Sequence, residues 1–209
     1  MKRHAVPTRE KALKIVSPIA PEIYHAFEYG GSKARDYFEA EKLDHDGSAY
    51  ALIVRMHARE YLKKRAEFAT VIFDRLSMCG ISFLFNNWKF RLWKSADHRA
   101  PKLPHPGHSE KKQRYYVQPR QMDLFSYRKR KKTGPKLHLV ILWNLDKKRN
   151  LETLWLVCPE DFNPETGEIK VHWIAEIPNP ILAVEPQLAS GPAPALPLEL
   201  RKIEKTKEG

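Results

Sequence analysis

Cysteine is scarce in this chain. Cys79 and Cys158 are the two among 209 residues, and neither has a second Cys or a His at metal-ligand spacing. That argues against a disulfide framework or a zinc site and for small buried thiols in a reducing compartment. Long hydrophobic runs are lacking too: the apolar stretches at 71–73 and 140–143 fall far short of the ~20 residues that cross a bilayer. Met1-Lys2-Arg3-His4 leads into polar sequence rather than the apolar core of a signal peptide. A soluble, cytoplasmic protein with no membrane partner is expected. Also absent are His-Glu-x-x-His, Gly-x-Ser-x-Gly and Cys-x-x-Cys, and Gly30-Gly31-Ser32-Lys33 lacks the leading glycine and residue order of a phosphate loop.

What the chain does have is positive charge in one place. Residues 89–136 hold 15 Lys and Arg against Asp97, Glu110 and Asp123, an excess of 12 that equals the net charge of the whole chain. Outside that segment, 22 cations meet 22 carboxylates and cancel. Trp88, Trp93, Tyr115, Tyr116, Phe125 and Tyr127 are interleaved with the cations. A polyanion-binding surface needs cations for phosphates and flat rings for bases, and this segment supplies both.

Along the chain, residues 8–79 carry apolar side chains at helical spacing. The stripe from Ala12 to Phe27 is interrupted by Pro18 and restarts with Pro21 in a first turn, and Tyr29-Gly30-Gly31 reads as a helix end. Ser32 then caps a short helix with Ala34, Tyr37 and Phe38 on one side. Asp44-His45-Asp46-Gly47 departs from the calcium-loop order and reads as a helix-start turn. It is followed by a long periodic run to Leu76, predicted as one helix or two joined near Lys64.

From Gly80 the period falls to two. Residues 81–85 and 88–94 flank Asn86-Asn87, a pair suited to a type I′ hairpin. The stretch from His98 to Arg114, with Pro101, Pro104, Pro106 and Gly107, predicts a mobile loop. Residues 137–145 and 151–158 predict a second hairpin, and residues 169–177 a last strand. The expected fold is α+β: a helical region over 1–79 packed on an antiparallel sheet of about five strands over 80–178, with a long basic insert at 95–136. A proline-rich extended tail is expected over 179–209.

Four patterns carry candidate chemistry. Arg128, Lys129, Arg130, Lys131 and Lys132 cannot all point one way on a strand or helix, so they predict a finger able to follow phosphates, joined by Lys111, Lys112, Arg114 and Arg120. Trp93, Tyr115 and Tyr116 are candidate stacking faces. Glu168-Ile169-Lys170, with Asp161 or Asp146 upstream, follows the Asp…Glu-x-Lys arrangement of metal-dependent nucleases, against the plainer reading of a solvated strand face. His98, His105 and His108 lack a fourth metal ligand, and His25…Glu28 and His57…Glu60 read as solvated helix pairs. No cofactor or metal is implied.

Gln121-Met122-Asp123-Leu124-Phe125 resembles the short peptide by which bacterial replication and repair proteins dock on the sliding clamp, a pattern written Gln-x-Asp/Ser-Leu-Phe. Gln121, Leu124 and Phe125 match its key positions, and the competing reading puts Leu124 and Phe125 in the core. On a larger scale, several landmarks occur together: a helical start, the Asn-turn hairpin ending in Lys94, the return from Arg114-Tyr115 through Gln121 to Phe125, the strand Leu142-Trp143-Asn144-Leu145-Asp146, and a last strand with Trp173. Their layout is similar to that of uncharacterised prokaryotic proteins encoded beside a helix-turn-helix regulator paired with an ImmA/IrrE-type metallopeptidase. The resemblance implies a stress or phage-defence component in a toxin–antitoxin or mobile-element setting, with a regulator or antitoxin protein as partner. The leading expectation is a non-enzymatic prokaryotic nucleic-acid-binding protein. A toxin-like effector or nuclease, and a module binding an acidic protein, are the alternatives.

Overall fold

Local chemistry sets the helix starts. In the computed structural model, which describes residues 6–44, 46–68, 71–74, 76, 78–97, 100–118, 137–146 and 148–179, Thr8 caps α1 (Arg9–Val16) by accepting the Lys11 amide at 3.4 Å. Pro18 sits in a 3-10 turn (Ser17–Ile19), and Pro21 lies in the first turn of α2 (Ala20–Ala40), where a missing N–H costs nothing. Asp46 caps α3 (Gly47–Lys63), accepting the Ser48 amide at 2.7 Å.

Two helical expectations are corrected. Gly30-Gly31 does not end α2, which runs on to Ala40 with no new cap at Ser32. The glycine serves packing instead: a Cβ at Gly30 would stand 2.4 Å from the Val54 carbonyl oxygen of α3. The periodic run after Lys63 is not helical either. A 3-10 turn (Ala66–Phe68) leads to a short strand, β1 (Ile72–Phe73), because this apolar stretch pairs with the next strand at Ile72↔Leu84 and Phe73↔Phe83.

β2 (Ile81–Phe85) and β3 (Trp88–Lys94) form the expected hairpin, with Asn86 and Asn87 at φ of 50° and 62°. β4 (Leu137–Leu145), β5 (Leu151–Phe162) and β6 (Ile169–Ile177) complete one six-stranded sheet in sequential order. The fold is α+β, as expected. The sheet is antiparallel except at β3/β4, which are parallel. A chain that leaves the end of β3 must cross to the far end of the sheet before entering a parallel neighbour, so the segment between them is a crossover connection.

β4 is buried on both faces, and its alternation separates two cores. Leu139, Ile141 and Trp143 join Phe83, Phe90, Leu92, Leu154 and Leu156 beneath α1–α3, with Trp143 against Phe27 at 4.9 Å between rings. Val140 and Leu142 face the other way. Helices and strands thus share one core. No helix among the described residues is long and apolar enough to cross a membrane.

Candidate nucleic-acid interface

The crossover is built on the second core. Leu103, Tyr115 and Tyr116 are buried against Val140, Leu142, Val157 and Phe162. Just past β3, the Ser95 amide donates to the Trp143 carbonyl at 2.9 Å. The Ser95 hydroxyl meets the Ala100 carbonyl and accepts the Lys102 amide, both at 3.1 Å. Gln113 donates to the Gly107 carbonyl at 2.7 Å, the Tyr116 hydroxyl to the Pro104 carbonyl, and His105 meets the edge of Phe162. The described part of the expected mobile loop is therefore packed on the sheet. Three large apolar side chains spaced along it outweigh the prolines, which here fix turns.

The candidate stacking faces are corrected in the same way. Tyr115 and Tyr116 are 5% and 1% exposed. The Tyr115 hydroxyl lies 2.8 Å from the Lys89 carbonyl and 2.7 Å from the Leu139 carbonyl, bridging β3 and β4. Its ring stacks on His138 at 4.6 Å and 4°. Trp93 is half-buried, stacked on Tyr116 at 5.1 Å, with the Arg91 guanidinium 4.8 Å from its ring. Rings so engaged are interior groups, and burial pushes both tyrosine pKa values up.

Cations on this side of the sheet fall into two sets. Lys89 pairs with Asp74 at 2.8 Å, and the Ser82 hydroxyl donates to the same carboxylate oxygen at 2.7 Å. Burial works to raise the Asp74 pKa, but the hydrogen bonds from Lys89 and Ser82 and the charges of Lys89 and Arg91 outweigh it and hold it low. Burial also pulls the Arg91 pKa down. These residues are structural. The second set lies on α4 (Glu110–Tyr116), whose apolar side is docked by Tyr115 and Tyr116 while Lys112 and Arg114 are exposed. Arg114 pairs with Glu110 at 3.0 Å. Lys111 lies in the same helix.

Arg120, Arg128, Lys129, Arg130, Lys131 and Lys132 lie outside the described residues, as do Gln121, Leu124 and Phe125 of the clamp-like pentapeptide. Where the chain departs and returns is described. The Gln118 side chain accepts the His138 amide and donates to the His138 carbonyl, both at 3.0 Å, and donates to the Pro159 carbonyl as well. Residues 119–136, with seven cations and one carboxylate, therefore connect two hydrogen-bonded neighbours.

Asp161, Glu168 and Lys170 of the nuclease-like set lie exposed at the β5–β6 hairpin, and Asp146 lies in the β4–β5 loop. Asp161 and Lys170 are register partners on β5 and β6. The Asp161 carboxylate accepts the Phe162 amide at 2.8 Å, and Asp146 is engaged by the Asn150 amide at 2.8 Å. Among the described residues, no group of three or more His, Cys, Asp or Glu side chains could hold a metal ion. Two pockets lie at the other end of β4. One, of about 130 Å³, is lined by Ser95, Asn144, Glu152, Thr153 and Trp155 among others. The second, of about 320 Å³, includes Arg35 and Arg149. Nothing in the charge pattern singled these arginines out, because the positive-φ position of Arg149 shows only once the β4–β5 loop is placed. No family model matches this chain, and no curated protein or solved structure matches it either.

Proposed function

We propose that this protein binds nucleic acid through its phosphates, using the outward side of α4 and the basic stretch that follows it. One positional fact carries this proposal. The chain's surplus charge is confined to a single segment, whose described part holds Lys112 and Arg114 outward on a docked helix and whose next 18 residues start and finish at the Gln118–His138 contact. Cations carried close together along one segment of chain add their fields where that segment meets a polyanion. With Tyr115 and Tyr116 buried and Trp93 half-buried against them, binding is expected to be electrostatic and weakly selective for sequence, since phosphate contacts position a strand without reading bases.

Fluorescence anisotropy with single- and double-stranded oligonucleotides at two salt concentrations tests this. Binding that weakens steeply with salt is the expected result. No binding at low salt overturns the proposal and turns attention to an acidic protein as the partner of the same cations.

A further inference from the structure

Arg55 and Arg59 stand one turn apart on α3, and neither forms an ion pair among the described residues. The helix puts no carboxylate beside them. Three and four places away lie Ala51, Leu52 and Ala58 for Arg55, and Met56, Leu62 and Lys63 for Arg59, besides the two arginines themselves. Like charges at that spacing repel.

Both side chains are half-buried, and each Nε is buried with no hydrogen-bond partner among the described residues. Burial pulls the Arg55 pKa down, and the neighbour that opposes it is the Cys79 thiol, not a carboxylate. Asp74 and Glu60 are committed elsewhere. Asp74 gives its carboxylate to Lys89 and Ser82 and offers Arg59 its backbone carbonyl, at 3.3 Å. Glu60 is within reach of the Arg59 charge, but its carboxylate accepts from Lys63 at 2.8 Å. A guanidinium drawn out of water costs stability unless an anion compensates it, and arginines in such places are ordinarily paired.

Apolar groups adjoin these cations. Leu52 and Met56 run beside Arg55 and Arg59 on α3; Leu52 is half-buried yet packs in neither core, and Met56 is 40% exposed. Met78, next to Cys79, is 69% exposed. Met78 and Cys79 both take φ of 53°, a left-handed position that strains a Cβ, so the turn holds a methionine outward at a cost. Methionine adapts its shape to a partner and, with arginine, is enriched at protein interfaces.

We propose that this side of α3, with the turn at 78–79, docks an acidic peptide segment of a partner protein. Its carboxylates meet Arg55 and Arg59, and its apolar side chains cover Leu52, Met56 and Met78. Charge complementarity calls for an anion, and the leucine and methionines call for an apolar neighbour that a strand of phosphates does not supply. The surface is separate from the interface on α4. α3 packs in the core beneath one face of the sheet, and Tyr115 and Tyr116 dock α4 on the other.

The test pans a phage-displayed library of random peptides on the full-length native protein and discards phage that also bind Arg55→Met/Arg59→Gln. That subtraction removes peptides drawn only to the basic segment, which the variant keeps. Recovered peptides, titrated by fluorescence anisotropy, should carry Asp or Glu together with Leu, Met or an aromatic residue. They should bind Arg55→Met about tenfold or more weakly. Arg55→Met should keep or raise the melting temperature, since it removes a half-buried charge with no counter-charge. A fall of more than about 4 °C assigns Arg55 to the fold and overturns the proposal. So does a library that yields no peptide separating native protein from variant, or only peptides without acidic residues. Oligonucleotide affinity that drops about tenfold in Arg55→Met overturns it in favour of nucleic acid. Self-association of the native chain that is lost in Arg55→Met overturns it in favour of a second copy. Oligonucleotide binding through α4 does not pass through either arginine, so failure of one reading leaves the other measurable.

Discussion

Gln118 and His138 are joined through the ends of one side chain: the Gln118 amide group accepts from the His138 N–H and donates to the His138 carbonyl. A side chain here does what a neighbouring strand would do. It completes the ladder at the start of β4, where the chain has just returned from the basic stretch, and reaches β5 through the Pro159 carbonyl. The contact is buried, with Gln118 4% and His138 8% exposed, so its hydrogen bonds are shielded from competing water.

Replacing Gln118 by leucine keeps the bulk and removes every one of these bonds. The His138 amide and two carbonyls lose their side-chain partner in a buried setting, and the loss should be about 2–3 kcal/mol. Urea denaturation measures it. A Gln118→Leu protein as stable as the native chain would show that this side chain does not hold the crossover's end.

His138 also gives the fold a pH dependence. Burial pulls its pKa down to about 4, with the nearby Lys89 charge acting the same way. The unfolded chain takes up this proton near 6.5, whereas the folded chain resists it until about 4. Stability from this group is therefore full above pH 6.5 and is lost as pH falls towards 4, by up to about 3 kcal/mol. His138→Phe keeps a ring against Tyr115 and removes the titration. The expected outcome is a flatter dependence of the urea midpoint between pH 6.5 and 4.5 in the variant, and parallel curves would count against it.

How far the fold was legible depended on whether a residue's job was local. Asn86-Asn87, Pro18, Pro21 and Asp46 act on their own turns or helix ends, and each does in the structure what its chemistry predicts. Residues whose job is set by a distant partner misled. Residues 71–73 look helical until β2 lies beside them, and the prolines of the crossover suggest mobility until Leu103, Tyr115 and Tyr116 find the sheet. The parallel pairing of β3 and β4 had no local signature. Within the candidate site, the charge excess was countable from composition, but which cations face outward was not. Lys89 and Arg91 belong to the same basic segment as Lys112, yet an acidic partner and a buried aromatic cluster claim them.

The paired glycines of α2 make the same distinction measurable. A Cβ at Gly30 would meet the Val54 carbonyl oxygen at 2.4 Å, a backbone atom that cannot move without shifting α3. At Gly31 the nearest atom is the Arg149 carbonyl oxygen at 3.5 Å, an ordinary contact. Gly30→Ala should therefore destabilise by about 1–3 kcal/mol through overpacking. Gly31→Ala should be neutral or stabilise by up to ~1 kcal/mol, because alanine is the better helix former. Thermal melts followed by circular dichroism compare the two, and equal effects would contradict close packing of α2 on α3.

The proposed interface on α4 makes a quantitative demand on salt dependence. Each phosphate neutralised on duplex DNA releases condensed counterion, contributing about −0.9 to the slope of log K against log salt. If Lys112 and Arg114 both act, Lys112→Gln with Arg114→Gln should flatten the slope by about 1.8 and weaken all sequences alike. The two residues should not contribute equally. Arg114 is held by Glu110 at 3.0 Å, and a phosphate must compete with that carboxylate, whereas Lys112 is exposed with no ion partner among the described residues. Lys112→Gln should thus cost more affinity than Arg114→Gln. Glu110→Gln, which frees Arg114 and removes a negative charge from the same helix, should tighten binding. Anisotropy titrations across 50–200 mM salt measure all three. If the double variant keeps the native slope and Glu110→Gln leaves affinity unchanged, the outward side of α4 takes no part in binding.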